Sequence, residues 1–333
     1  MANINPSVAA ARNAISASIN ASGYDTPDVW VAVSGGADSL ALMAAASFVA
    51  KKQGLGFYVV NVNHNLQAGS REVSDTAAKV CADFGIPTEN IFIEDVHVDL
   101  SNGGLENAAR DARYAAIENR GNEISGKGNW VLMTGHTMDD QAETVLLAMS
   151  RGSGARALSG IPAQRGNILR PLLGLRRADN EAICDRYSLN VWNDPTNYVT
   201  EDGPKRSVLR NTIIPQMIEV LGDGVISGLA KTADLIADDE MELSLQADMW
   251  INENIENLGD TYSCDDLAKL PPALLGRVLK RIAEYETSST DINSKHVAAL
   301  RKYIINYNGQ QGTFLPGGVY AERKNRKLRF VAP

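Results

Sequence analysis

Short apolar runs at residues 30–33, 57–62, 91–96 and 130–134 alternate with amphipathic stretches, and no other feature of the sequence limits the fold as much. Between them, Val73, Ala77, Val80, Cys81 and Phe84 recur at helical spacing, as do Leu105, Ala109, Ala112, Ala116 and Ile117. A helical crossover carries the chain back to the same end of the sheet, so successive strands run parallel with helices on both faces. The expected class is α/β with a doubly wound, mostly parallel sheet. Ligands of such sheets sit beyond the carboxyl ends of the strands, and three unusual segments fall there: residues 34–39, 63–70 and 135–143. One pocket can hold all three.

Residues 151–167, rich in Gly, Ser, Ala and Arg, read as an exposed, mobile loop. From 168 the pattern is mixed until a helix begins near Lys205. The composition shifts near residue 222. Residues 223–266 carry twelve acidic side chains and one Lys, while Leu235, Ile236, Met241, Leu243, Leu245 and Trp250 keep the apolar content of a helix. The expected domains are therefore 1–222 and a smaller, mainly helical 223–333. The second has helical stretches near 271–286 and 294–306. A short hairpin follows between Phe314 and Phe330, turning at Pro316-Gly317-Gly318 or beyond it.

The string Val31-Ala32-Val33-Ser34-Gly35-Gly36-Ala37-Asp38-Ser39 runs from a strand through a Gly-rich turn into an apolar helix. Backbone N–H groups of the turn and the helix N-terminus form an anion site, Gly35 and Gly36 let a phosphate approach, and Ser34 and Ser39 add hydroxyl donors. Asp38 beside phosphates makes sense as a ligand of Mg²⁺ that bridges them. A plain helix cap would use the same Ser and Asp, without needing two consecutive glycines. The string ends in neither Lys-Ser nor Lys-Thr and lacks Gly-x-Gly-x-x-Gly, which excludes the Walker and dinucleotide fingerprints.

A second string, Gly135-His136-Thr137-Met138-Asp139-Asp140-Gln141-Ala142-Glu143-Thr144, crowds three carboxylates into the start of a helix. Capping explains one or two of them. Three beside a phosphate turn fit Mg²⁺ or a cationic substrate better. His64, at a strand end in Asn61-Val62-Asn63-His64-Asn65, reads either as a structural imidazole or as a contact to adenine. Arg110 and Arg113 share a helix face, as do Arg206 and Arg210, and each pair serves either a phosphate or a salt-bridged surface.

The turn at 34–39 resembles the pyrophosphate loop of the N-type ATP pyrophosphatases, the PP-loop superfamily. This resemblance implies an adenine nucleotide alpha hydrolase-like fold and cleavage of ATP to AMP and pyrophosphate. Within that superfamily, Gly-His-x-x-Asp-Asp-Gln-x-Glu-Thr at 135–144 and Glu106-Asn107-x-Ala109-Arg110-x-x-Arg113-Tyr114 resemble the lysidine synthetases. So do Leu169-Arg170-Pro171-Leu172-Leu173, Asn193-Asp194-Pro195-Thr196-Asn197 and the Arg206–Arg210 run. The likeness spans about residues 28–215. Asn63, Asn65 and Thr137 depart from the pattern.

The resemblance implies adenylation of the wobble cytidine of a tRNA(Ile) with a CAU anticodon, followed by attack of free L-lysine to form lysidine. Ser34, Gly35, Gly36, Ala37, Asp38, Ser39, His64, Gly135 and His136 would contact ATP. Asp38 and Asp140 would hold Mg²⁺. Asp38, Asp139, Asp140, Arg113 and Arg206 would act in catalysis, and Arg110, Asp139, Glu143 and Arg210 would contact substrate. Asp139 or Asp140 would position the attacking amine. A tRNA sulfurtransferase of the same superfamily and a non-catalytic nucleotide-binding module are the alternatives.

Composition agrees with an enzyme of this kind and not with a generic basic nucleic-acid binder. The net charge is −8, yet residues 151–215 hold ten Lys or Arg against six Asp or Glu. That basic stretch is a solvated surface or a polyanion contact. For tRNA, Arg151, Arg156 and Arg165 are the candidates, with Arg323, Lys324, Arg326, Lys327 and Arg329 near the C-terminus. Cys81, Cys184 and Cys264 are far apart with no metal-like spacing, so no cysteine need take part. No apolar run reaches the length of a membrane span, and the start Met-Ala-Asn-Ile-Asn-Pro is no secretory signal, so a cytoplasmic protein with no membrane partner is expected. The oligomeric state is open, a homodimer included.

Overall fold

The computed structural model describes residues 5–63, 69–96, 105–194, 204–255 and 261–332, with the side chains of 105–109 and 255 outside that description. They form two compact units, Met1–Asp234 and Leu235–Pro333.

Unit 1 is built on a six-stranded sheet of β1 (Asp28–Ala32), β2 (Phe57–Asn63), β3 (Ile91–Asp95), β4 (Trp130–Met133), β5 (Gln164–Arg165) and β6 (Ile168–Leu169). The strand order is β3-β2-β1-β4-β6-β5. All neighbours pair in parallel except β5 with β6. The chain thus leaves β1 toward one edge, through β2 and β3, and returns to the other side of β1 at β4. The crevice where this order reverses opens between the ends of β1 and β4.

Alternation along each strand divides the core in two. Val29, Val31, Val33, Val59, Val131 and Met133 face α1 (Pro6–Ala21), α2 (Ala37–Gln53), α3 (Ser70–Asp83) and α7 (Arg177–Arg186), and pack with Ile15, Leu40, Cys81 and Ile183. Trp30, Val60, Trp130 and Leu132 face the other way, onto Ile117 of α4 (Leu105–Ser125). Trp30 is fully buried, with its ring stacked 4.8 Å from Tyr58 and 5.3 Å from Phe92. A third, smaller cluster joins Ala142 of α5 (Met138–Ser150) to Ile214 of α9 (Ile214–Leu221) and Ile226 of α10 (Gly224–Ile255).

Two segments differ from the sequence expectation. Residues 151–167 are exposed but not a free loop, since they hold the short helix α6 (Ala155–Leu158) and strand β5. The Gln141 side chain also grips the backbone of Ile161, accepting its N–H at 2.6 Å and donating to its carbonyl at 3.3 Å. Residues 177–186, within the mixed stretch, are α7. It buries only Asn180, Ile183 and Cys184, too few for a visible apolar period. The helix expected near Lys205 begins there as α8 (Lys205–Val208), then widens into a π-helical turn, Leu209–Ile213, before α9. Pro215 accounts for the widening, because it has no N–H to donate and its ring crowds the preceding turn.

In unit 2, the part of α10 beyond Asp234 is followed by β7 (Thr261–Ser263), α11 (Cys264–Leu267), α12 (Pro272–Thr287), α13 (Ser294–Ile305), β8 (Thr313–Phe314), β9 (Tyr320–Lys324) and β10 (Lys327–Val331). This region is helical, and it also carries an antiparallel sheet in the order β7-β10-β9-β8. The β9–β10 hairpin turns at Asn325 and Arg326, both at positive φ as a two-residue hairpin requires, beyond Pro316-Gly317-Gly318. Its core joins Val278, Leu279 and Ile282 of α12 to Leu300 and Tyr303 of α13 and to Leu328 and Phe330 of β10. Among the described residues no single helix is long and apolar enough to cross a membrane.

Trp30→Ala removes the centre of the aromatic layer under α4 and leaves a cavity that the neighbouring rings cannot close. The expected loss is about 3–5 kcal/mol of unfolding free energy, measured by urea denaturation of unit 1 fluorescence and circular dichroism.

Candidate active site

The turn after β1 adopts the geometry that an anion needs. Gly35 sits at φ 90°, a left-handed conformation that only glycine takes without strain, and its carbonyl accepts the N–H of Trp192 at 3.0 Å. The Ser39 hydroxyl accepts the Ser34 N–H at 3.1 Å and donates to the Gly36 carbonyl at 2.9 Å, which ties the turn across its mouth. Gly36 is the N-cap of α2, with no side-chain cap on the first-turn N–H groups. Such groups offer a phosphate both donors and the positive end of the helix dipole.

Beside the turn lies Gly135, at the end of β4. A Cβ built there would stand 2.9 Å from the backbone carbon and oxygen of Asp38. Two backbones therefore meet at the crevice with no room for a side chain. The cleft above them has a volume of about 370 Å³. Ala32, Val33, Val60, Val62, Ile117 and Leu132 give it an apolar floor, and Ser34, Asp38, Arg110, Arg113, His136 and Asp140 supply its polar lining. An apolar floor for a flat base, with an anion site and two arginines, suits a nucleoside triphosphate.

His136 Nδ1 lies 2.9 Å from the Thr134 hydroxyl. Burial pushes the imidazole down to about 4, more than the nearby Asp140 carboxylate restores, so the ring is neutral at physiological pH. Burial raises the Asp38 carboxyl above its ordinary value, and the Asp140 charge adds to this, while Asn180 and Arg177 oppose it. The Asn180 amide donates to Asp38 at 2.7 Å.

The three carboxylates of α5 have separate partners. Asp139, 9% exposed, does not line the cleft. Its oxygens accept from Arg176 Nε and Nη2, each at 3.1 Å, and from the Arg177 backbone N–H at 2.8 Å. Burial opposes its charge, but these bonds hold the carboxyl below the usual range. One Asp140 oxygen accepts the Thr137 N–H at 2.8 Å and hydroxyl at 3.0 Å, capping α5. The other faces Arg177 and Arg210, at 3.4 Å each. Glu143, 1% exposed, accepts from Arg210 Nε at 2.8 Å and Nη2 at 3.2 Å. Burial works against the Arg210 charge, and the Glu143 bonds more than compensate. Arg206, exposed, donates to the Thr144 hydroxyl at 3.2 Å.

Of the residues singled out from sequence, the structure brings Ser34, Asp38, Arg110, Arg113, Gly135, His136 and Asp140 to one cleft, with Gly35, Gly36, Ala37 and Ser39 forming the turn that carries Ser34 and Asp38. Glu143 and Arg210 form a pair that touches it through Asp140. His64 and Pro195, Thr196 and Asn197 lie outside the described residues. Sequence reasoning passed over Arg176, Arg177 and Asn180 of the α7 region. The signal was there: Arg176-Arg177-Ala178-Asp179 sits in the basic stretch, and Asp179 caps the helix by accepting the Arg176 N–H at 3.0 Å.

Residues 8–217 match the PP-loop domain family. The chain is 40% identical to the tRNA(Ile)-lysidine synthase of Salinispora tropica over 344 residues, which cover 100% of this chain and 99% of that protein. With the tRNA(Ile)-lysidine synthase of Thermobifida fusca it shares 37% identity over 305 residues, 90% of each. Among solved structures it is similar to a tRNA thiolase of Methanococcus maripaludis that holds a [4Fe-4S] cluster. The TM-score is 0.51 at 14% identity, covering 69% of this chain and 80% of that one. That likeness speaks for the fold alone, which is of the adenine nucleotide alpha hydrolase type.

Gly135→Ala is expected to weaken ATP binding roughly 10- to 100-fold by calorimetry, with circular dichroism unchanged, because the phosphate turn must move to admit the methyl group. The His136 Cε1–Hε1 resonance should keep its neutral position through pH 6–8 and titrate with a midpoint of about 4. The unfolded chain binds that proton more tightly, so stability falls as pH drops from 6.5 toward 4.

Proposed function

The chain belongs to the tRNA(Ile)-lysidine synthase family of PP-loop domain proteins, and from that premise we propose that it joins free L-lysine to the wobble cytidine of a tRNA(Ile) with a CAU anticodon at the expense of ATP. The observation that carries this reading is the meeting, in a chain related to these enzymes over its whole length, of the phosphate turn with Asp38 and Asp140 in one cleft.

ATP lies with its base on the apolar floor and its phosphates on the turn. The 2-carbonyl oxygen of the cytidine attacks the α-phosphorus, and pyrophosphate leaves. This step turns a poor leaving group, a ring carbonyl oxygen, into a good one, the oxygen of AMP. Arg110 and Arg113 offset the charge on the phosphates. The ε-amino group of lysine, uncharged when it attacks, then adds to the activated carbon and AMP departs, the amine protons passing to a carboxylate or to water. Asp139 is bound on both oxygens by the start of α7, so its part is to shape the site. Amine handling falls to Asp140, which lines the cleft, next to the Glu143–Arg210 pair.

Asp38 and Asp140 fit Mg²⁺. Their charges bear on each other across the cleft, and Mg²⁺ takes one or two carboxylates together with substrate phosphates and water. Among the described residues no group of three or more His, Cys, Asp and Glu is arranged to hold a metal without such help. When bound, Mg²⁺ neutralises charge on the leaving pyrophosphate.

Sulfur transfer is disfavoured because the three cysteines are buried, and burial pushes the Cys81 and Cys184 thiols up to about 12. A non-catalytic nucleotide module has no need of both carboxylates in the cleft. For tRNA, Arg151, Arg156 and Arg165 stand exposed on unit 1. Near the C-terminus, Arg326 pairs with Asp265 and Arg323 stacks on Tyr307, which leaves Lys324 and Lys327 as the better phosphate contacts. The C-terminal part from about residue 223 is the tRNA-binding domain, and the setting is cytoplasmic.

Labelled lysine, ATP and a tRNA(Ile) transcript with a CAU anticodon test the assignment. Label should enter the tRNA with release of AMP, and Asp38→Asn should lower the rate about 100-fold or more. ATP binding with no incorporation into this tRNA would overturn the substrate.

A further inference from the structure

The guanidinium of Arg177 stands among carboxylates from two different elements. Its Nε is 3.5 Å from Asp38 on α2, and its Nη2 is 3.4 Å from Asp140 and 3.7 Å from Glu143 on α5. These are long contacts. Arg210 on Glu143, at 2.8 Å, and Asn180 on Asp38, at 2.7 Å, are committed hydrogen bonds by comparison. Arg177 is thus central in charge and weakly held in geometry.

Its backbone is the opposite. The Arg177 N–H is fixed on Asp139 at 2.8 Å, Arg176 clamps the same carboxylate, and the Met138 N–H at the start of α5 donates to the Leu175 carbonyl at 2.8 Å. The root of the side chain is anchored while its head is free to choose between carboxylates and any other anion within reach. A planar guanidinium binds phosphate oxygens with the same fork that it offers carboxylates.

The charge balance gives this arrangement a consequence. Asp38, Asp140 and Glu143 carry three negative charges against Arg177 and Arg210, in surroundings shielded enough for single charges to matter. Without Arg177 the set would hold two uncompensated charges and attract a divalent cation more strongly. With it, an arriving cation meets a guanidinium already in place.

We infer that Arg177 makes binding of a divalent cation conditional on ATP: it fills the carboxylate set while the cleft is empty and transfers to the phosphates when they enter, opening Asp38 and Asp140 to the metal. The inference rests on the reading of Asp38 and Asp140 as the Mg²⁺ residues. Arg177 is on this account a positioning residue that fixes an order of binding, and a strut between helices would have no such effect.

Manganese(II) as a spin probe tests it on the full-length chain, with free and bound ion separated by electron paramagnetic resonance. Nucleotide-free wild type should bind Mn²⁺ weakly. Arg177→Gln should bind it roughly 10-fold tighter or more in the absence of ATP, and Arg177→Lys, which keeps the charge, should resemble wild type. The added Asp38→Asn change should abolish the gain. Equal or weaker binding by folded Arg177→Gln overturns the inference, and so does tight nucleotide-free binding by wild type, whatever the variants' folding. If Arg177→Gln shows no gain while Asp38→Asn still lowers Mn²⁺ uptake in the presence of ATP, the inference alone fails. If Asp38→Asn alters neither measurement, the reading of the metal site fails with it.

Discussion

A gap too narrow for one methyl group holds the site together. The backbone of Gly135, at the end of β4, lies directly on Asp38 and Ser39 in the first turn of α2, at the point where the strand order reverses. Everything else in the cleft is placed relative to that contact. It brings the phosphate turn and the acidic start of α5 to the same spot, although about a hundred residues of sequence separate them, and it does so with backbone, which has few ways to relax. The two-faced core stiffens both partners from below: Val31 and Met133 lock the strands to α2 and α7 on one side, Trp30 and Leu132 to α4 on the other.

Upon this frame sits a network of charge in which the carboxylates of α5 have different partners. Asp139 joins α5 to α7, Asp140 caps its own helix with one oxygen and looks into the cleft with the other, and Glu143 is sealed against Arg210. Asp139 and Asp140, adjacent in sequence, point about 100° apart around the helix, while Glu143 lies a turn further along and shares Arg210 with Asp140, so position along and around α5 sets which partner each acid meets. The neutral His136 beside them adds a donor or acceptor without adding charge, so the balance of the cleft is set by carboxylates and guanidinium groups alone.

Much of this was legible because its signals are local. The turn at 34–39 and the string at 135–144 each state their chemistry within ten residues, and the strands around them show in the β-branched runs. What did not show was pairing at a distance. That Asp139 would be tied up by α7 depends on Arg176 and Arg177, more than thirty residues away, in a helix with three buried side chains and no apolar stripe to announce it. The loop at 151–167 was misjudged for a similar reason. Gly and Ser composition describes how a segment moves alone, and Gln141 fastens it from another element. In unit 2 the helices and the hairpin ending near Phe330 were legible, whereas β7 and β8, of three and two residues, are too short to alternate visibly.

The π-helical turn at Leu209–Ile213 has a meaning of its own in helix phase. It takes up one more residue than an α-turn, so all that precedes it is rotated relative to α9 by about 100°. Arg210 reaches Glu143 from inside that turn. A chain shorter by a single residue here could run as a regular helix, easier to form in isolation, yet its arginine would face elsewhere and Glu143 would be left buried beside fewer cations. Pro215 holds the register open by forbidding the regular form. The protein keeps a locally imperfect helix, and with it a fixed angle between the arginine and the acid that needs it.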